Sequence, residues 1–138
     1  MSDDVIPEGS EAPARSLRIL IVDDEPRVRE TLALTLRRAG HEVECASSGR
    51  AALDHIEAGH AVDVVLTDLG MPDVNGWSVA RSAKQRWPQV PVGLVTGWGD
   101  DESFGSEADR AIVDFVLAKP VDRRTLTEAI ARVTRLAA

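Results

Sequence analysis

A single cysteine, Cys45, occurs in the 138 residues, so no internal disulfide can hold the chain together. That fits a reducing cytosol. Cys45 falls in a short strand pattern, 41–46, and reads as a buried, inert thiol rather than a redox sensor. No apolar run approaches the roughly 18 residues of a membrane span, and the acidic N-terminus has no apolar signal-peptide core. The segment therefore reads as cytoplasmic, without membrane contact. A basic stripe is missing too, at a net charge of -7 and a pI near 4.9. Nucleic acid is thereby excluded as a partner, because phosphate binding needs clustered cations. The two densest basic spots, Arg37-Arg38 and Arg123-Arg124, sit on helical patterns and read as solvated faces. No Gly-x-Gly-x-x-Gly follows the first strand pattern, which argues against a dinucleotide binder. Lysine is scarce, with two against fourteen arginines.

What is present is a large apolar fraction, 43%, enough for one domain with a substantial core. Residues 1–16 hold two prolines, a glycine and four acids without apolar periodicity, and read as a disordered tail or linker. From Leu17 onward, residues 17–138, strand and helix patterns alternate. Val/Ile/Leu-rich runs at 17–22, 43–46, 62–67, 90–95 and 113–118 have the character of parallel strands buried on both faces.

Helical patterns lie between them. Pro26 suits the first turn of a helix over 26–39, striped by Val28, Leu32, Leu36 and Ala39 and stopped by Gly40. Ser48 can cap a second to Ala58, with Ala52, Leu53 and Ile56 inward and Gly59 ending it. Asn75-Gly76 opens a third to Arg86, closed before Pro88. A short, poorly apolar helix is expected over 104–111, and a last one over 122–136 buries Leu126, Ile130 and Val133. Five such βα units imply an α/β fold: one doubly wound, five-stranded parallel sheet with right-handed crossovers and strand order 2-1-3-4-5.

In such a sheet ligands bind outside the carboxyl ends of the strands, where the strand order reverses. Asp23-Asp24 end the first strand, Asp68 the third, Thr96 the fourth and Lys119-Pro120 the fifth. One rim thus collects three carboxylates, a hydroxyl and an ammonium. Acidic groups so close repel one another and have raised pKa values unless a cation compensates. Mg²⁺ suits a shallow site of carboxylates, one carbonyl and water, and the carbonyl of Gly70 is placed to contribute. With the charge neutralised, an aspartate oxygen can attack a phosphoryl group. Lysine and threonine can then hold its oxygens. Lys119 places a compact point charge, not a planar fork, where a phosphate would lie.

The runs Ile19-Leu20-Ile21-Val22-Asp23-Asp24-Glu25-Pro26, Leu66-Thr67-Asp68-Leu69-Gly70-Met71-Pro72, Val95-Thr96-Gly97 and Leu117-Ala118-Lys119-Pro120 resemble those of two-component response regulator receiver domains. The resemblance, which covers 17–137, implies a flavodoxin-like, CheY-like fold and a phosphorelay role. It implies that Asp68 accepts a phosphoryl group from a histidine kinase or a histidine phosphotransfer protein. Mg²⁺ would be held by Asp24, Asp68 and the Gly70 carbonyl, with Asp23 acting through water. Thr96 and Lys119 would bind the phosphoryl oxygens, and the Lys119-Pro120 bond would be cis. Catalysis would be limited to the domain's own phosphorylation and slow dephosphorylation.

Two positions depart from the family. Receivers usually carry Tyr or Phe three residues before the lysine; here that residue is Val116, and Phe115, one step earlier, should face the other side of the sheet. Trp98 and its glycine-rich loop are a candidate replacement. Gly70 removes a side chain that often reaches over the phosphoryl group. Alternatives are a pseudo-receiver that only binds partners, and a phosphatase of haloacid dehalogenase type, disfavoured because its Asp-x-Asp on the first strand is missing. A stand-alone regulator and the receiver of a hybrid histidine kinase both fit the sequence.

Overall fold

The structure, a computed structural model, describes residues 16–97 and 106–137, with side chains through Arg135. Strands β1 (Arg18–Val22), β2 (Glu42–Ala46), β3 (Val64–Thr67), β4 (Val92–Thr96) and β5 (Phe115–Ala118) alternate with helices α1 (Pro26–Arg38), α2 (Gly49–Ala58), α3 (Gly76–Arg86), α4 (Glu107–Ile112) and α5 (Arg123–Ala137). All strand pairs are parallel, in the order β2-β1-β3-β4-β5. The expected doubly wound sheet is therefore the observed one. The tail and Trp98, on which two sequence expectations rested, lie outside the described residues, apart from Ser16.

Two apolar clusters sandwich the sheet. Ile19, Ile21, Val43, Val64, Leu66, Val95 and Leu117 pack under Leu32 and Leu36 of α1 and Leu126 and Ile130 of α5. On the other face Leu20, Val22, Ala46, Val65 and Val92 meet Ala52 and Ile56 of α2 and Val79, Ala80 and Ala83 of α3. Alternation along each strand sends successive side chains to opposite clusters. That is why the inner strands β1, β3 and β4 read as nearly unbroken apolar runs.

Strand starts differ from those expected. Val90 donates its N–H to the Trp87 carbonyl in a turn, and Val113 donates to Arg110 to close α4. Both pack against the α2–α3 cluster without joining the ladder, as does buried Val62. Helix ends follow side-chain caps: Ser48 accepts from Ala51, Asn75 from Ser78 and Asp122 from Thr125. Helix α4 begins at Glu107 on a Ser106–Asp109 capping box and buries none of its residues. Its low apolar content therefore translates directly into shallow docking.

Cys45 is exposed, not buried. It lies on the edge strand β2, whose burial alternates poorly because only one neighbour covers it. Residual desolvation of the sulfur raises the thiol pKa, and Arg37 and Arg29 only partly oppose this. The thiol stays protonated and unreactive despite its exposure.

Candidate functional site

Four of the sequence's candidates converge at the carboxyl ends of β1, β3 and β5. Asp23 is 1% exposed and Asp68 8%, whereas Asp24 faces solvent. Carboxylate oxygens of Asp23, Asp24 and Asp68 lie within 4.8 Å of one another. Lys119 Nζ stands 2.9 Å from Asp23 Oδ2 and 3.2 Å from Asp68 Oδ1. The Lys119–Pro120 peptide bond is cis, as the resemblance implied.

Backbone bonds fix these groups. The Asp68 N–H donates to the Val22 carbonyl at 2.8 Å and the Asp23 N–H to Ala46 at 3.2 Å, extending the ladder one residue past each strand. The Lys119 N–H donates to the Thr96 carbonyl at 3.0 Å, so β4 and β5 bring lysine and threonine to one level. Thr96 is fully buried, on the rim end of β4. Gly70 is exposed beside Asp68.

Sequence reasoning missed the groups that aim Asp23. Its Oδ1 accepts from the Glu25 N–H at 2.9 Å, and Arg29 donates to its backbone carbonyl at 2.9 Å. No spacing rule points from Arg29, six positions on in α1, to that carbonyl. Two glycines were also undervalued. A Cβ on Gly76 would lie 2.3 Å from the Asp68 carbonyl oxygen, and one on Gly49 2.3 Å from the Val74 carbonyl oxygen. Asp73 binds the N–H groups of Gly49 and Arg50, which holds its pKa low. The loop after Asp68 is thus locked to the start of α2.

Charge in the cluster is unbalanced. Desolvation, then repulsion from Asp23, raises the Asp68 pKa, and Lys119 only partly counters this. For Lys119 desolvation works downward, but the close ion-pair contact with Asp23 and the charge of Asp68 hold its pKa above the ordinary lysine value. Because the folded pKa of Asp68 is raised, its contribution is full below the ordinary carboxylate range and is lost as pH rises through the folded value. Ionised Asp68 therefore destabilises the metal-free fold at neutral pH. Asp68→Asn is expected to raise the metal-free Tm at pH 7 by about 4 °C, the equivalent of about 1 kcal/mol in a domain of this size. Melts at pH 7 and pH 5 check this, with the gain shrinking at the lower pH.

The donor set fits a hard divalent cation. Three carboxylates outnumber one ammonium, and Asp23 Oδ2 is buried and ion-paired yet lacks an aligned hydrogen bond. Its lone pairs remain open to a metal or a metal-bound water.

The model of the response regulator receiver domain family matches residues 19–131. The chain belongs to that family. The receiver is 36% identical over 119 residues to the response regulator protein PilR of Pseudomonas aeruginosa, covering 86% of this chain and 26% of PilR. It spans about a quarter of the length of such curated relatives. Among solved structures it is similar to a receiver domain protein from Clostridium thermocellum (TM-score 0.77, 31% identity, covering 87% of this chain and 95% of that one). It is also similar to the response regulator TrrA of Thermotoga maritima in complex with Mg²⁺ and BeF (TM-score 0.75, 29% identity, 85% and 98% covered). This is a receiver domain of two-component signal transduction. No described helix is long and apolar enough to cross a membrane.

The switch position departs from the family as the sequence implied. Phe115 packs into the α1–α5 cluster, its ring against Gly93. Val116 pairs with Leu94 on the Thr96 side of the sheet and is 46% exposed. No aromatic ring from β5 therefore stands beside Thr96.

Proposed function

We propose that Asp68 is the phosphoacceptor, in a Mg²⁺-dependent transfer from a phosphohistidine of a histidine kinase or histidine phosphotransfer protein. The observation that carries this is the Lys119 ammonium, within 3.2 Å of both Asp23 and Asp68 where three carboxylates meet. One oxygen of Asp68 forms the new bond to phosphorus, the bond to the donor imidazole nitrogen breaks, and an acyl phosphate remains. Asp24, Asp68 and the Gly70 carbonyl hold the ion, and Asp23, fixed by Glu25 and Arg29, supports it. Bound Mg²⁺ supplies neutralising charge to the carboxylates and to the transferring phosphoryl group. Lys119 and Thr96 hold the phosphoryl oxygens.

The output is a shift between conformations rather than turnover of a metabolite. Helix α4, with no buried residue, is the element that moves at least energetic cost. Without an aromatic on β5 beside Thr96, the movement is relayed by other groups.

Titration with Mg²⁺ and beryllofluoride, followed by amide NMR, tests the reading. Saturable shifts around residues 68, 96 and 119 are expected in the native chain and none with Asp68→Ala. A native chain that fails to respond would instead be a pseudo-receiver, a protein-binding module. Gly70 leaves the phosphoryl group open to water, so Gly70→Asn and Gly70→Arg should slow dephosphorylation. An unchanged hydrolysis rate in both variants would count against that role.

A further inference from the structure

The stretch between the phosphoacceptor and α3 has little backbone anchorage of its own. Asp68 continues the ladder by donating to the Val22 carbonyl, and Gly76 closes the loop by donating to the Leu69 carbonyl at 2.8 Å. Between them, residues 70–74 make no backbone–backbone hydrogen bond among the described residues. Met71 and Val74 pack into the α2–α3 cluster, which sets the depth of the loop. Apolar contact is non-directional, so it does not set the loop's orientation. The directional contact is the Asp73 carboxylate. Its Oδ2 accepts from the Arg50 N–H at 2.8 Å and its Oδ1 from the Gly49 N–H at 3.2 Å.

We infer that Asp73 is a positioning residue for the metal site: by gripping the start of α2 it holds the Gly70 carbonyl in place for the ion and couples the site to that helix. The inference rests on the reading of Gly70 as a Mg²⁺ ligand. Two oxygens on two successive N–H groups fix rotation as well as distance, and bonds to an ionised acceptor are the stronger kind. The donors belong to the first turn of α2, where a helix has unpaired N–H groups and a partial positive charge. Ser48 takes the next one, accepting from the Ala51 N–H at 3.0 Å. The cap is therefore divided: Ser48 serves the helix alone, while Asp73 serves the helix and the loop.

The other side of the contact has no slack. A Cβ on Gly49 would lie 2.3 Å from the Val74 carbonyl oxygen and 2.6 Å from Val74 Cβ, so helix and loop meet backbone to backbone. Mg²⁺ makes such rigidity useful, because it holds its ligands at about 2.1 Å in near-ideal octahedral geometry. Groups that orient a metal ligand are worth about 10–100-fold in affinity. The coupling must also run backwards. An ion drawn to Gly70 steadies Asp73, and through it the first turn of α2.

The test is titration of Mg²⁺ into the full chain, followed by amide and carbonyl NMR, for the native protein, Asp73→Ala, Asp73→Asn and Ser48→Ala. Asp73→Ala is expected to weaken Mg²⁺ about tenfold, and at saturation to shrink the shift of the Gly70 carbonyl carbon while the Asp24 carboxyl carbon still responds. Asp73→Asn keeps an oxygen acceptor without the charge and should recover part of the affinity. Ser48→Ala loosens the same helix end without touching the loop and should bind Mg²⁺ as the native chain does. In the native chain, with no variant needed, Mg²⁺ should slow hydrogen exchange at the Gly49 and Arg50 amides. Native affinity in Asp73→Ala would overturn the role, an equal loss in Ser48→Ala would reduce it to helix fraying, and equal losses in Asp73→Asn and Asp73→Ala would reduce it to charge alone. Unchanged exchange at Gly49 and Arg50 would overturn the coupling to α2. A native chain that binds no Mg²⁺ would instead overturn the metal reading itself, and this role with it.

Discussion

Lys119→Met is expected to destabilise the metal-free receiver by about 3–5 kcal/mol, the cost of removing one partner from a buried ion pair. Lys119 Nζ lies 2.9 Å from Asp23 and 3.2 Å from Asp68, and its side chain is 20% exposed. Without it two buried carboxylates face each other, and the desolvation and repulsion that raise the Asp68 pKa lose their main opponent. The raised Lys119 pKa means that the ammonium's contribution is complete below the ordinary lysine value and fades only as pH rises through the folded value. The full loss is therefore expected at pH 7. Urea midpoints should recover partly in Mg²⁺, which replaces the missing charge, whereas phosphoryl uptake should stay at least about 100-fold down because the oxygens lose a fixed cation. A variant with native stability in EDTA would show that the ammonium does not balance the acids.

Lys119 was legible because it ends a strand, as were Asp23, Asp24 and Asp68: strand ends are visible as the close of an apolar run, and a parallel sheet puts them on one edge. The same visibility fails at strand starts. Val62, Val90 and Val113 pack against the core without pairing, and hydrophobicity cannot separate packing from pairing. Cys45 was misjudged for a related reason. Its strand pattern was right, but burial depends on the strand's place in the sheet, and β2 is an edge. Arg29 was not legible because reaching the Asp23 carbonyl from α1 depends on the helix's entry angle, which spacing does not fix. Parity along β5 did carry through: one step separates Phe115 from Val116, and they occupy opposite faces as alternation requires.

Gly76 was read as a helix-opening turn residue, and its larger role is steric. The cap is supplied by Asn75, which accepts from the Ser78 N–H at 3.0 Å. Gly76 lets the start of α3 close against the phosphoacceptor's own backbone, its N–H donating to the Leu69 carbonyl at 2.8 Å. An added Cβ would sit 2.3 Å from the Asp68 carbonyl oxygen and 2.9 Å from Leu69 Cα. Both obstacles are backbone, so no rotamer change relieves the overlap, and either the loop or the helix must shift. Gly76→Ala is therefore expected to cost about 3 kcal/mol as overpacking, outweighing the gain of about 1 kcal/mol that alanine brings to a helix. If the loop yields, Asp68 moves, and a displacement near 1 Å can cost about 100-fold in a positioned reaction. Urea denaturation and phosphoryl uptake measured on one preparation separate the two effects. Gly97→Ala is the control, since nothing lies within 4 Å of its added carbon and stability should stay within about 0.5 kcal/mol. Native stability and uptake in Gly76→Ala would mean that α3 can withdraw from Asp68 freely, and that the loop's attachment to α2 through Asp73 is enough to hold the phosphoacceptor in place.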